Sequence, residues 1–154
     1  MRLQTSVFPD RVEILDVENL AIQCQRAKEL EEAGEFERAR EALRSFWQEV
    51  GERPETTGLT DVETAELLLR AGSLTGWIGS AGQVSGAQER AKDLVSESAS
   101  LFQSLGLIEK SAEARVDLAI CYWREGALDE ARVSLRHALD SLGDLDSEQR
   151  LRAL

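Results

Sequence analysis

Few residues of this chain have the type and spacing that catalysis requires. His137 is the only histidine, and no serine, cysteine or threonine stands in the Gly-x-Ser-x-Gly context of a nucleophile elbow. The glycines between residues 72 and 82 follow no predicted strand and lack the lysine of a phosphate-binding loop. The sequence therefore predicts a protein that is not an enzyme, with no catalytic residue and no cofactor.

The acidic and cysteine residues do not suggest a metal site. Five glutamates lie between residues 29 and 37, but helical spacing directs them to different faces of two helices, as on a solvated surface. Cys24 and Cys121 each fall in the first helix of a predicted helix pair, where a reduced thiol acts as a small buried hydrophobic residue. We therefore expect no bound metal and no disulfide.

The charge and the hydropathy of the chain limit its partners. The formal net charge is −11 at pH 7, and lysines and arginines are interspersed with acidic residues. Phosphate backbones would be repelled on average, so we expect no nucleic-acid partner. The opening sequence MRLQTSVFPDRVEIL has no signal-peptide core, and no apolar run is long enough to span a bilayer. We expect a cytoplasmic protein with no membrane partner, whose acidic surface favours basic protein partners.

Two stretches of the chain match each other at fixed offsets. The clearer copy, AEARVDLAICYWREGALDEARVSLRHAL, covers residues 112–139, and the other ends in RAKELEEAGEFERAREAL. Each contains a helical pattern, a turn glycine (Gly126 or Gly34) and a second helical pattern. Small residues at matching offsets, such as Ala119 and Ala131, allow two antiparallel helices to approach closely. The repeated unit is therefore predicted to be a helix hairpin.

This succession of small, large and glycine positions resembles the tetratricopeptide repeat (TPR). A middle copy with its turn at Gly82 places Ala87 at the position of Ala131. The turn glycines are then 48 residues (34 to 82) and 44 residues (82 to 126) apart, against roughly 34 in the standard repeat. Such lengthened repeats are similar to those of kinesin light chains and of bacterial regulatory TPR arrays. The resemblance covers about residues 20–142 and implies an all-α, right-handed α-solenoid of about three hairpins plus a trailing helix.

The helix signals predict a single domain, residues 1–154, with repeats at about 11–50, 60–106 and 107–143. The predicted helices are 11–33, 35–50, 60–81, 83–105, 107–125, 127–142 and a last one from 147, in a fourth helix pair that starts within 146–154. Asp10 is the predicted N-cap of the first helix, and Thr60 with Glu63 forms the capping box of the third. Pro54 excludes helix from the linker 51–59. Either the chain is a fragment of a longer array, or its last helix caps the solenoid.

Three glycines form the least usual feature of the middle repeat. Gly72, Gly76 and Gly79 follow each other at i, i+4 and i+7, so they share one helix face, although each interior glycine costs roughly 0.5–1 kcal/mol relative to alanine. The TPR alignment assigns this face to the concave groove. Equivalent groove positions in the other repeats are Cys24, Lys28 and Glu31, and Val116, Ile120 and Trp123. The glycines either allow close packing against the helix at 107–125, or leave space for the backbone of a partner.

The resemblance thus implies a partner-binding groove on the first helices of the three repeats. Its predicted residues are Lys28, Glu31, Gly72, Gly76, Gly79, Ile120, Trp123 and Arg124. Only Lys28 and Arg124 are cations, unlike the carboxylate clamps of chaperone-binding TPR domains, so an apolar or mixed partner segment is favoured. Trp123 is either its anchor or core between repeats. We expect a scaffold that binds a protein or peptide; the alternative is a peptide- or ligand-responsive regulatory module of a bacterial signalling protein.

Overall fold

The chain folds into helices that pack against their neighbours in sequence. The structure, a computed structural model, describes residues 7–143 and Leu151, and the side chains of residues 19–143 and Leu151. The helices are α1 (Val7–Glu32), α2 (Phe36–Ala42), α3 (Asp61–Ala81), α4 (Ala87–Ser104), α5 (Ile108–Arg124) and α6 (Leu128–Leu142). No strand occurs in this part of the chain. The all-α prediction is therefore confirmed, whereas the handedness and the repeat type remain predictions.

Most helix ends follow the local signals. The capping box at the start of α3 is confirmed: Glu63 N donates to Thr60 Oγ1 at 3.3 Å, and Thr60 N donates to Glu63 Oε2 at 2.8 Å. The N-cap at Asp10 is wrong, because α1 already begins at Val7. Pro9 fits in that first turn, where its missing N–H has no helical acceptor to lose. The cap at residues 146–149 and the helix from 147 lie outside the described residues, except that Leu151 is helical.

The helix predicted for residues 35–50 is wrong in its second half. α2 ends at Ala42, and the chain continues in turns past Trp47, which is buried. Trp47 Nε1 donates to the carbonyl of Glu52 at 3.0 Å, and Glu55 N donates to the carbonyl of Phe46 at 3.2 Å. These bonds fold residues 46–55 back on themselves. Tertiary contacts thus outweigh the local helix propensity of this stretch.

Residues 51–59, which we call the strap, lead from these turns to the start of α3. Pro54 is buried in the strap. The guanidinium of Arg53 binds the carboxylate of Glu97 in α4, with Nη2 2.6 Å from Oε1. The predicted linker therefore lies along the helices of the second hairpin.

The predicted equivalence of Gly34, Gly82 and Gly126 is wrong at its middle member. Gly34 and Gly126 have left-handed φ values of +78° and +79°, but Gly82 has a φ of −86°. In the second hairpin Gln83 takes the left-handed position, with a φ of +51°. Val84 N then donates to the carbonyl five residues earlier, as the residue after each of the other two turns also does. The register of α3 is therefore shifted by one residue from the predicted alignment.

Three groups of buried hydrophobic residues hold the hairpins together. The largest includes Leu20, Ala27, Ala39, Leu43, Trp47, Leu68 and Leu74, from α1, α2, the following turns and α3. A second joins α3, α4 and α5 through residues such as Leu69, Val95, Phe102 and Ala114. The third joins α5 and α6 through Ala112, Val116, Ala138 and Leu142. The alanines predicted at the helix crossings, Ala39, Ala87 and Ala131, are all buried. The predicted equivalence of Ala87 with Ala131 is wrong, however, because the buried positions of α4 and α6 match when Ala91 is aligned with Ala131.

Candidate functional site

A cleft of about 330 Å³ opens between the first helices of the three hairpins, and we call it the central cleft. Its walls come from α1, α3 and α5, with Phe36 at the start of α2. The lining residues are Lys28, Glu31, Glu32, Gly34, Phe36, Arg70, Trp77, Glu113, Asp117 and Ile120. The structure therefore brings the predicted groove residues Lys28, Glu31 and Ile120 to one cavity.

Arg70 stands at the centre of the cleft wall with only 4% of its surface exposed. Its Nη1 lies 3.1 Å from Glu31 Oε2 of α1. Its Nη2 lies 3.0 Å from Glu113 Oε1 and 3.7 Å from Asp117 Oδ2, both in α5. Ser73, one turn after Arg70, also donates to Glu31. One guanidinium from the second hairpin thus pairs with carboxylates from the first and the third.

Two lysines add positive charge to this cluster. Lys28 Nζ lies 3.3 Å from Glu113 Oε1, which is also bound by Arg70. Lys110 Nζ lies 2.9 Å from Glu66 Oε1 and 3.6 Å from Glu113 Oε2. Three cations thus pair with four carboxylates along this wall. Most of its charge is used within the protein, which leaves little of it for a ligand.

The pKa values in the cluster reflect this pairing. Burial by itself would raise the pKa of Glu113, but the charges of Arg70, Lys110 and Lys28 hold it below the ordinary value of 4.5. Burial would likewise lower the pKa of Arg70, but Glu31, Asp117 and Glu113 keep it above its ordinary value. Both groups are therefore charged at neutral pH. A buried pair of this kind stabilises the fold only while all its members are present.

The mouth of the cleft is aromatic. Phe36 and Trp77 stack with ring centroids 5.2 Å apart and planes 11° apart. The guanidinium carbon of Arg124 lies 4.0 Å from the centroid of the Trp77 ring, in cation–π geometry. Burial lowers the pKa of Arg124, and its buried Nε has no hydrogen-bond partner in the part of the chain that the structure describes. Arg124 therefore acts here mainly through packing on Trp77.

Gly72, Gly76 and Gly79, which we call the glycine stripe, do not line the cleft, and the prediction that they do requires correction. Gly72, Gly76 and Gly79 are buried. A Cβ atom at Gly72 would meet Val95 and Leu94 of α4, and one at Gly79 would meet Ala87. These glycines thus pack against α4, the partner helix of their own hairpin, and not against α5 as the packing interpretation assumed. Gly76 alone reaches α5, because the Arg124 side chain lies against its bare Cα.

The error has a simple geometric origin. When Gln83 replaces Gly82 as the turn residue, Cys24 and Lys28 of α1 correspond to Ser73 and Trp77 of α3. A shift of one residue turns a helix face by about 100°. That rotation separates the glycine stripe from the side that carries Arg70. The sequence held one indication of the correct register: a second glycine, Gly86, stands just before α4, so the turn between α3 and α4 is longer than those of the other two hairpins.

Ile120 and Trp123 are both on α5 but differ in their surroundings. Ile120 is partly buried, lines the cleft and packs beside the third hydrophobic group. Trp123, one turn later, is 62% exposed. Trp123 therefore fills no core among the described residues, and its large apolar surface faces outward next to Arg124.

The remaining candidates for chemistry are unreactive or absent in the described part of the chain. Burial raises the pKa of the Cys24 thiol to about 12 and that of Cys121 to about 11, so both thiols stay protonated at neutral pH. No group of histidine, cysteine or acidic side chains in residues 19–143 has the arrangement of a metal site. Within the described helices, none combines the length and the apolar character that crossing a bilayer requires.

Arg70, Glu113 and Asp117 are the main residues of the cleft that the sequence analysis missed. Arg70 lies in the second hairpin and both carboxylates lie in the third, so only the packing of these hairpins brings them together. A signal was present, because arginine and acidic residues inside apolar helix faces rarely occur without partners. Comparison with known proteins adds no assignment: no protein-family model, no curated protein and no solved structure matches this chain.

Proposed function

We propose that this chain is a non-catalytic interaction module that binds a partner protein, or another domain, through its central cleft. In this proposal the helix hairpins form a TPR-like, right-handed solenoid with a trailing helix, in the cytoplasm. The similar Schellman-type turns at Gly34 and Gly126 and the packing of consecutive hairpins support a repeat architecture.

The exposed indole of Trp123 carries the proposal. A tryptophan with 62% of its surface exposed beside an arginine has the composition of an interface anchor. Trp123 is not among the residues that line the cleft, but its neighbours on α5 reach the cleft: Ile120 lines it, and Arg124 packs on Trp77 at its mouth. Because the charges deeper in the cleft are paired with each other, the surface offered to a partner is mainly apolar and aromatic. A partner segment with a bulky apolar residue fits this mouth.

The experiment is capture of the partner by the tagged chain, followed by mass spectrometry. We expect a stoichiometric protein that the wild type retains and that Trp123→Ala loses. Ile22→Ala is the matched control, because Ile22 is a similarly exposed apolar residue on α1. Both variants should keep the wild-type melting temperature, since neither side chain is buried. Equal capture by Trp123→Ala and the wild type would place the interface elsewhere and contradict the proposal.

The volume of the cleft favours a second candidate function. A cavity of about 330 Å³ is at the lower end of the range for small-molecule sites. In this alternative the chain is a regulatory TPR module, and a peptide or small ligand in the cleft changes the angle between hairpins by displacing an ion pair of Arg70. Native mass spectrometry of the purified chain distinguishes the two functions: a small bound ligand supports the regulator, and a bound protein supports the scaffold.

A further inference from the structure

The outer side of the second hairpin carries a groove that already has an occupant. Its floor is α3 and its wall is α4, and the strap lies along it. Gly51 N donates to Thr75 Oγ1 of α3 at 3.3 Å, and the Gly51 carbonyl accepts from Arg90 Nη1 of α4 at 3.4 Å. Further along, Arg53 binds Glu97 of α4. An irregular segment, neither helix nor strand, thus bridges floor and wall.

The third hairpin has the equivalent groove. Thr75 precedes the left-handed residue Gln83 by eight positions (75 to 83), and Leu118 precedes Gly126 by eight (118 to 126). The buried residues of α4 recur forty positions later in α6 (91 to 131): Ala91, Leu94, Ser98 and Phe102 correspond to Ala131, Ser134, Ala138 and Leu142. By the same shift, the strap contacts Arg90 and Glu97 correspond to Glu130 and His137.

These equivalent residues do line a cavity. A groove of about 420 Å³ runs between α5 and α6, and we call it the outer groove. Its lining residues are Arg115, Leu118, Tyr122, Asp129, Glu130, Val133, Ser134 and His137. Leu118, Glu130 and His137, the equivalents of the three residues that contact the strap, are all among them. No described segment of the chain lies in this groove in the way that the strap lies on α3 and α4.

The chemistry of the outer groove differs from that of the occupied one. Leu118 replaces Thr75 on the floor, and Val133 on the wall is 68% exposed, so the surface is more apolar. Glu130 replaces Arg90, which exchanges a cation for a carboxylate, and no described cation pairs with it. Asp129, at the same rim, is almost fully exposed, although Arg132 lies 3.5 Å from it. Arg115 also lines the groove, but its Nη2 donates to Gln103 Oε1 at 2.5 Å, which leaves Glu130 and Asp129 to attract an occupant. An occupant that fits this surface supplies an apolar side chain and a positive charge.

We propose that the outer groove binds an extended segment of a partner protein, in which a lysine or arginine lies next to a bulky apolar residue. The apolar side chain packs on Leu118 and Val133, and the cation pairs with Glu130 in the place where Arg90 binds the strap. The net charge of −11 favours the approach of such a basic segment. This surface is separate from the central cleft and does not depend on the function proposed for it.

The test uses the full chain and a phage-displayed library of random linear nonapeptides, the length of the strap. Enriched peptides, made with a fluorescent label, should carry a lysine or arginine beside a bulky apolar residue. Fluorescence anisotropy should show affinity about tenfold weaker for Val133→Asp and for Glu130→Arg. The matched controls, Ile22→Asp and Glu29→Arg, change exposed residues on α1 and should bind like the wild type.

Several outcomes would overturn the proposal. No enrichment above background, or enrichment of peptides without basic residues, would contradict the proposal that the groove binds a basic and apolar segment. Peptides that bind Val133→Asp as tightly as the wild type occupy another site, such as the central cleft, and leave the scaffold function standing. Residues 144–154 carry the same kind of motif in Arg150, Leu151 and Arg152, so tighter peptide binding by a full chain with Arg150→Glu and Arg152→Glu than by the wild type would assign the groove to the chain itself. A dimer in sedimentation that Val133→Asp converts to monomer would assign it to a second copy.

Discussion

The two long sides of α3 are both buried, but different forces hold them. On one side Arg70 and Ser73 reach across the central cleft to carboxylates of α1 and α5. On the other side Gly72 and Gly79 let α4 approach without intervening side chains. Charge pairs tolerate small displacements but not the loss of a member, whereas close packing tolerates no added volume. The two sides should therefore respond oppositely to removing and to adding atoms.

The largest effect is expected from Arg70→Met. This change keeps much of the side-chain volume but leaves Glu113 and its neighbours buried without their central cation, and breaking a buried pair costs about 3–5 kcal/mol. Urea unfolding at neutral pH should show this loss in the free energy of unfolding. Arg44→Met is the control, since Arg44 is exposed and its pair with Glu41 should contribute about 0.5 kcal/mol or less. Equal losses for both variants would refute the role of Arg70.

Arg70→Met should also change how stability depends on pH. In the wild type the folded-state pKa of Glu113 is below its ordinary value of 4.5. Its stabilising contribution is therefore complete above that value and is lost as the pH falls through the folded-state pKa. Without Arg70 the effect of burial is less opposed, so the pKa of Glu113 should rise. Acidification should then protonate Glu113 and remove the cost of burying an unpaired carboxylate.

The pH effect is measured by repeating the unfolding of both proteins at about pH 7 and about pH 5. The difference in stability between the wild type and Arg70→Met should shrink at the lower pH. An unchanged difference would show that the lost stability comes from packing of the arginine side chain and not from unpaired carboxylates.

The opposite side of α3 is tested by Gly79→Ala. The new Cβ would meet the Cβ of Ala87, which belongs to the α4 backbone turn and cannot move alone. Separating the helices should cost about 1–3 kcal/mol, more than the helix propensity that alanine gains. A thermal melt should show the decrease. Stabilisation by this substitution would mean that α3 and α4 are not in close contact at this point.

The sequence was sufficient for the parts of the fold that local signals determine. The capping box at Thr60 follows from neighbouring residues and is confirmed, and the predicted bounds of α5 and α6 agree with the structure to within one residue. The length of α2 depends on the burial of Trp47 by distant residues, which helical periodicity does not reveal. The partners of Arg70 are 39 to 47 positions away along the chain (70 to 31, 70 to 117), so only the packed hairpins show them.

The left-handed conformation of Gln83, which shifts the register of α3, should itself cost some stability. Gln83 occupies a left-handed conformation that glycine adopts without steric cost, and Gly82 beside it does not need that freedom. Gln83→Gly should therefore stabilise the protein by about 1 kcal/mol. Urea unfolding measures this change in the free energy of unfolding. The control is Gln23→Gly, which puts a glycine inside α1 and should destabilise the protein. Destabilisation by Gln83→Gly would indicate that the glutamine side chain makes a contact that outweighs backbone strain.

The smallest effect is expected from Gly76→Ala, where the two sides of α3 meet. The added Cβ meets the end of the Arg124 side chain, and the nearest atom outside that side chain, the Cβ of Ala91, is at an ordinary 3.6 Å. Arg124 can swing away, which loses a cation–π contact with Trp77 of about 0.5–1 kcal/mol. Replacing an interior glycine by alanine raises the helix propensity, and this stabilises the protein by about the same free energy. The melting temperature should stay near that of the wild type while the fluorescence of Trp77 changes, measured in a Trp123→Phe background to reduce the overlapping signal. A loss as large as that of Gly79→Ala would show that Arg124 is fixed, and that the charged side of α3 is as rigid as its glycine side.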